Sequence, residues 1–151
     1  MKYNNRVMLI LAGIGSSLIA MLHLLILIIG EEAYRFFPGV GDEFADLLLS
    51  GSAWPTIITA ILTLIFFIFA AYAFSGSGII VALPNVRAII ILIGSIYILR
   101  GFINIPFYIN IILKQNKLIE YRSIVFDTIS LTLGLLYIIG LLHIINAKIK
   151  S

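Results

Sequence analysis

Four stretches of the chain, residues 7–29, 53–74, 88–113 and 124–146, are apolar almost throughout, and most of the charged residues fall between or beside them. A helix needs about 20 apolar residues to cross the ~30 Å hydrocarbon core of a bilayer, so the pattern predicts four transmembrane helices. Arg6 and Glu31-Glu32 bound the first. Trp54-Pro55 opens the second, and Ser75-Gly76-Ser77-Gly78 closes it. Pro84 precedes the third and Pro106 lies inside it, and Lys148 and Lys150 follow the fourth. Lys2 and Arg6 give the first stretch the basic start of a signal peptide. Its apolar run is too long for one, and no small-x-small cleavage site follows.

The segment 30–52 is the sizeable connection. Pro38-Gly39 breaks it, after which Phe44, Leu47 and Leu48 recur at i, i+3, i+4 opposite Asp42, Glu43 and Asp46. This predicts a short amphipathic helix on the outer membrane interface. Tyr34, Phe36, Phe37 and Trp54 suit an aromatic belt at the same level. A lid over the helices is favoured over a partner-binding epitope. The connection between the second and third stretches is Gly/Ser-rich and reads as a simple turn.

Inside each stretch the small and polar residues share a face. Gly13, Ser16, Ala20 and His23 do so in the first, and Thr56, Thr59 and Thr63 in the second. Tyr97, Arg100, Asn104 and Tyr108 follow in the third, and Asp127, Ser130, Gly134, Tyr137 and Leu141 in the fourth. Steps of three and four residues put each set along one side of a helix. Lipid offers such groups no partner, so the four faces are expected to turn toward one another. The expected fold is all-α: an integral membrane four-helix antiparallel bundle, a single domain over residues 1–151, with the short amphipathic helix in its first extracytoplasmic loop.

Composition agrees. Of 151 residues, 62% are hydrophobic and 11% charged, against about 25% charged in a soluble domain. The net charge of +3 is small and scattered, which argues against a nucleic-acid partner. The absence of cysteine removes disulfides, thiol nucleophiles and thiolate metal sites. An even number of spans puts Lys2, Arg6, Arg87, Lys148 and Lys150 on one side. Arg35, Lys114, Lys117 and Arg122 fall on the other, with all the acids outside the spans. The basic N-terminus favours the cytoplasm for both termini.

Arg100 is the conspicuous charge, near the middle of the third stretch. A guanidinium cannot shed its proton in hydrocarbon and must find an anion, a water-filled cavity or a route to the interface. Asp127 is its natural partner. In straight helices Arg100 lies below Asp127 by roughly 15 Å, a gap that shortens if Pro106 ends or kinks the third helix and the arginine snorkels. His23, Thr59, Asn104 and Asp127 all fall in the outer half of their spans. Arg100, Asp127, His23, Asn104, Tyr97 and Thr59 are therefore the candidate ligand site, a polar interhelical pocket leaning outward. The favoured alternative is that the same residues serve only to hold the helices together.

Other chemistry is not indicated. No metalloprotease-like His/Glu spacing occurs, and His23 and His143 lie about 20 Å apart in depth, too far to share a haem iron. No lysine follows Gly76 and Gly78 as in a phosphate loop. Gly15-Ser16-Ser17 lacks the second glycine of a nucleophile elbow. The sequence assigns no catalytic residue, metal or cofactor.

In Ala71-Tyr72-Ala73-Phe74-Ser75-Gly76-Ser77-Gly78, in Tyr97-Ile98-Leu99-Arg100-Gly101 and in Ala20 to His23, the chain resembles small uncharacterised bacterial inner-membrane proteins with four predicted helices. The resemblance implies a four-helix bundle in the bacterial inner membrane and brings no activity. Small multidrug exporters also have four helices but carry an acid inside the first span. Here the first acid is Glu31, at the membrane edge, so that function does not transfer. Two classes remain. One is a non-catalytic accessory or oligomerising membrane protein, with the bilayer and a second copy or another membrane protein as partners. The other is a small transporter or ligand-binding membrane protein that uses Arg100 and Asp127 for an anionic or protonated solute.

Overall fold

A computed structural model describes residues 2–37, 41–103, 105, 109 and 121–148, without the side chains of 2–5, 121, 142–144 and 146–148. The protein is all-α. Its helices are α1 (Lys2–Ile29), α2 (Glu31–Phe36), α3 (Gly41–Leu49), α4 (Trp54–Ser77), α5 (Val86–Phe102) and α6 (Tyr121–Lys148), with no strand among the described residues. Among the described residues, three apolar segments are long enough to cross a membrane: Arg6–Ile29, Trp54–Ser77 and Arg122–Leu141. α5 covers 86–102; beyond Ile103, Ile105 and Ile109, the rest of the stretch 88–113 read from the sequence lies outside the described residues. Asn104, Pro106 and Tyr108 lie outside the described residues.

Glycine sets two of the helix ends. At the end of α4 the Gly78 N–H donates to Ser75 O and the Ile79 N–H to Phe74 O, with Gly78 at φ +76°. This is the Schellman arrangement, which satisfies carbonyls that the last turn leaves open. The end of α3 repeats it. There the Gly51 N–H meets Leu48 O and the Ser52 N–H meets Leu47 O, with Gly51 at φ +84°.

The chain forms two compact units, Met1–Gly15 with Phe69–Ser151, and Ser16–Ile68. The division falls inside α1 and α4, so each of these helices contributes a stretch to both units.

In the first unit α5 and α6 pack antiparallel along glycines. A Cβ on Gly134 would sit 2.8 Å from Ile98 N and 2.9 Å from Gly94 O, and one on Gly101 would sit 2.9 Å from Asp127 O. Those are backbone atoms, so the two helices touch main chain to main chain. The α1 stretch joins them: a Cβ on Gly140 would meet Leu9, and one on Gly15 would meet Leu133. Phe69 on α4, Tyr97 on α5 and Tyr137 on α6 form a ring cluster. Tyr97 and Tyr137 stack at 5.8 Å, and Phe69 meets Tyr97 edge-on at 5.8 Å. The Tyr137 hydroxyl donates to Phe69 O at 2.8 Å. Outward lie Ile91, Leu92, Ile96 and Leu99 of α5, and Ile124, Val125, Ile129, Leu135 and Ile139 of α6, all exposed. Small and polar residues inside with branched aliphatics outside is the arrangement that lipid selects.

The second unit centres on the connection between α1 and α4. The sequence predicts one amphipathic helix there, and the structure has two short helices, α2 and α3. Ile26, Tyr34 and Ala45 form a small core, with Ala33, Phe37, Phe44 and Leu48 packed around it. Gly41 must be glycine, because a Cβ would run into the carbonyl oxygen of Tyr34. The buried face of α3 is therefore Gly41, Ala45 and, in part, Phe44 and Leu48. Leu47, expected on that face, is exposed.

Candidate functional site

Arg100 occupies the last turn of α5, and Asp127 lies six residues into α6. The Arg100 Nη1 donates to Asp127 Oδ1. The pair needs close helices, and Gly101 provides them. Its missing side chain lets the α5 backbone rest against Asp127 O and the Leu131 backbone. The arginine–glycine dipeptide is thus one device: the glycine brings the helices together where the arginine has to reach. The depth gap estimated from the sequence does not hold, since the Arg100–Asp127 bond puts the two residues level.

The two charges have unequal surroundings. The Asp127 side chain is 6% exposed and that of Arg100 is 47% exposed. The carboxylate is an interior group, whereas the guanidinium spans from the interior to the protein surface. A planar guanidinium carries five N–H donors, so bonding one oxygen of Asp127 leaves it capable of receiving more than one acceptor.

Tyr97, one turn before Arg100, is buried in the ring cluster with Phe69 and Tyr137. Tyr97, Arg100 and Asp127 thus belong to the first unit. His23 and Thr59 belong to the second, and Asn104 lies outside the described residues. The His23 Nδ1 bonds its own helix at Ile19 O, at 2.8 Å, and its ring packs on Phe66 at 4.9 Å. Thr59 and Thr63 are buried, and the Thr63 hydroxyl donates to Thr59 O. Thr56, expected on the same face, is exposed.

The sequence reading misses the role of Tyr34. It assigns this residue to an interfacial aromatic belt, but Tyr34 is 5% exposed. Its hydroxyl donates to Pro55 O at 3.0 Å and lies 2.7 Å from Thr59 Oγ1. Pro55 O and Thr59 Oγ1 both lie in the opening turns of α4, so Tyr34 pins the α2–α3 connection to that helix. Phe36 and Trp54 remain exposed, as a belt requires. What holds Tyr34 inside is its packing on Ile26 and Ala45, which becomes visible only in the folded connection.

Three of the five acids of this connection gather on one cation. Arg35 Nε donates to Glu31 Oε1 at 2.6 Å, and Nη2 donates to Asp46 Oδ1 at 2.8 Å. Asp42 Oδ1 lies 3.8 Å from Nη1. The hydrogen bonds from Glu31 and then Asp46 raise the Arg35 pKa above its already high value. Arg35 therefore stays charged at every working pH and couples α2 to α3. No family model, curated protein or solved structure matches the chain.

Proposed function

We propose that the protein is a non-catalytic integral membrane protein of four spans, in which the polar residues of the helices act as interhelical glue. The observation that carries this reading is how the interior polar groups pair: Arg100 with Asp127, Tyr137 with Phe69 O, Tyr34 with Pro55 O and Thr59, and Thr63 with Thr59 O. Each bond is made within the protein, and the surfaces around them are apolar. In this reading the bilayer of the cell's inner membrane is the solvent, both termini face the cytoplasm, and α5 is the fourth span. Partners are expected among other membrane proteins or a second copy of the chain.

One observation favours a second reading. A half-exposed guanidinium anchored on a buried carboxylate is a suitable receptor for an anionic solute. A small transporter or ligand-binding membrane protein would use Arg100 and Asp127 in this way.

Thermal unfolding in detergent separates the two, using Arg100→Ala, Asp127→Ala and the double variant. Glue predicts that each single change lowers Tm and the double recovers much of the loss, since the second change removes the charge left without its counter-ion. Arg100→Ala should be the worse of the two, because it leaves the interior carboxylate behind. Single variants that keep the wild-type Tm while losing an anion-induced thermal shift would sink the glue reading and favour the receptor.

A further inference from the structure

The connection between α4 and α5 is not the simple turn its glycines and serines suggest. Ile79, Ile80 and Val81 are all exposed, and Val81, at 81%, is the most exposed large apolar residue described. Charge is absent on either side: from Leu47 to Val86 the chain holds no Asp, Glu, Lys or Arg. The connection between α1 and α4, by contrast, carries Glu31, Glu32, Arg35, Asp42, Glu43 and Asp46. A loop turned to water has no use for three consecutive branched aliphatics and no charge.

Its backbone is also tied down from within. Ser75, buried near the end of α4, donates its hydroxyl to Val81 O at 3.1 Å and accepts from the Leu83 N–H at 2.8 Å. The Gly78 and Ile79 N–H groups are held by Ser75 O and Phe74 O, and residue 84 is a proline with no N–H to satisfy. Non-helical backbone is tolerated near hydrocarbon only where its polar groups find partners in the protein. Ser75 supplies these bonds and pushes residues 79–81 outward as a braced tongue. Ile91 and Leu92 of α5, in the same unit, are exposed as well.

We propose that residues 79–81 insert their side chains into the lipid interface, so that this connection is a membrane anchor rather than an aqueous turn. The inference rests on the membrane reading above and adds that lipid covers this loop. Arg87, the second residue of α5, follows the tongue where headgroup phosphates would be expected.

The chain has no cysteine, so single reporters can be placed without background. Val81→Cys, Leu64→Cys and Glu43→Cys, each labelled with an environment-sensitive dye, are compared in vesicles of phosphatidylcholine and phosphatidylglycerol. Some vesicles carry lipid spin-labelled near the headgroup, others near the chain end. Insertion predicts blue-shifted emission at position 81, quenched most by the shallow label, with position 64 quenched by the deep label and position 43 by neither. Ser75→Ala, which unties the loop, should lessen quenching at position 81 and leave position 64 unchanged. Water-like, unquenched emission at 81 with deep quenching at 64 overturns the anchor but keeps the membrane reading. Blue-shifted but unquenched emission at 81 overturns it in favour of a protein surface covering the loop. Loss of quenching at 64 overturns both.

Discussion

Tyr34 shows how one hydroxyl can fix the connection between α1 and α4. Its ring lies in the small core with Ile26 and Ala45, and its oxygen reaches both Pro55 O and Thr59 Oγ1. Tyr34→Phe keeps the ring and removes both bonds, leaving Thr59 and Pro55 without that partner in a buried place. A loss of about 1–3 kcal/mol follows from stranding such groups. Thr59→Val removes only one of the two contacts and should cost less, and the double variant should cost less than the sum, with coupling of about 0.5–1.5 kcal/mol. Denaturant titration of the four proteins in one detergent measures this, and full additivity would mean the 2.7 Å contact carries no energy. Tyr34 also marks where sequence reading stops. An interfacial tyrosine and a buried one have the same neighbours in the sequence, and only the fold of two short helices decides between them. Arg100 was the opposite case. A lone arginine in an apolar run announces itself, and Asp127 was the available acid, but the intervening Gly101 contact that makes their bond possible is a property of packing.

At the scale of elements, glycine acts by two mechanisms that a pair of substitutions can separate. At Gly134 the constraint is space: a Cβ meets main-chain atoms of α5, which cannot swing aside. Gly134→Ala should therefore force α5 and α6 apart, at a cost of about 1–3 kcal/mol. At Gly78 nothing lies within 4 Å of a Cβ, and the constraint is φ +76°. Gly78→Ala should cost only about 1–2 kcal/mol, and Gly78→Asn less than that, because asparagine tolerates the left-handed region. Gly134→Asn should gain no such relief. Thermal unfolding of the four variants tests the contrast. α2 and α3 are joined differently, by the Arg35 clamp. Arg35→Gln should raise amide exchange across 41–49 while leaving Tm nearly unchanged, since the ion pairs are solvent-exposed and salt-screened. The raised Arg35 pKa keeps the cation of the clamp charged through the working pH range, so its contribution is lost only at strongly alkaline pH. Tyr97 and Arg100 of α5 and the Asp127, Gly134 and Tyr137 face of α6 were legible as spacing in the sequence. The glycines of α5, the exposure of Thr56 and the outward turn of Leu47 were not, because heptad spacing names a face without fixing what covers it.

At the scale of the whole molecule, the number of spans decides where the termini lie. Three segments meet the length and composition of a crossing helix, and three crossings would put the N- and C-termini on opposite sides. The proposed fourth crossing is α5. Its 17 residues extend about 26 Å, and its C-cap Ile103 keeps helical angles with its N–H on Leu99 O. More telling is the partner. α5 lies main chain to main chain against α6, with Gly94 at Gly134 and Gly101 at Asp127 and Leu131. If α6 crosses hydrocarbon, α5 occupies the same depth, and its exposed Ile91, Leu92, Ile96 and Leu99 suit lipid and not water. Crossing four times returns the C-terminus to the side of the N-terminus. Reporter fusions that fluoresce only in the cytoplasm, placed after residues 52, 82 and 151, should be dark, bright and bright in turn. A dark fusion after 151 beside a bright one after 82 would mean that α5 turns back without crossing, and the Gly94–Gly134 contact would then have to form at one surface of the membrane.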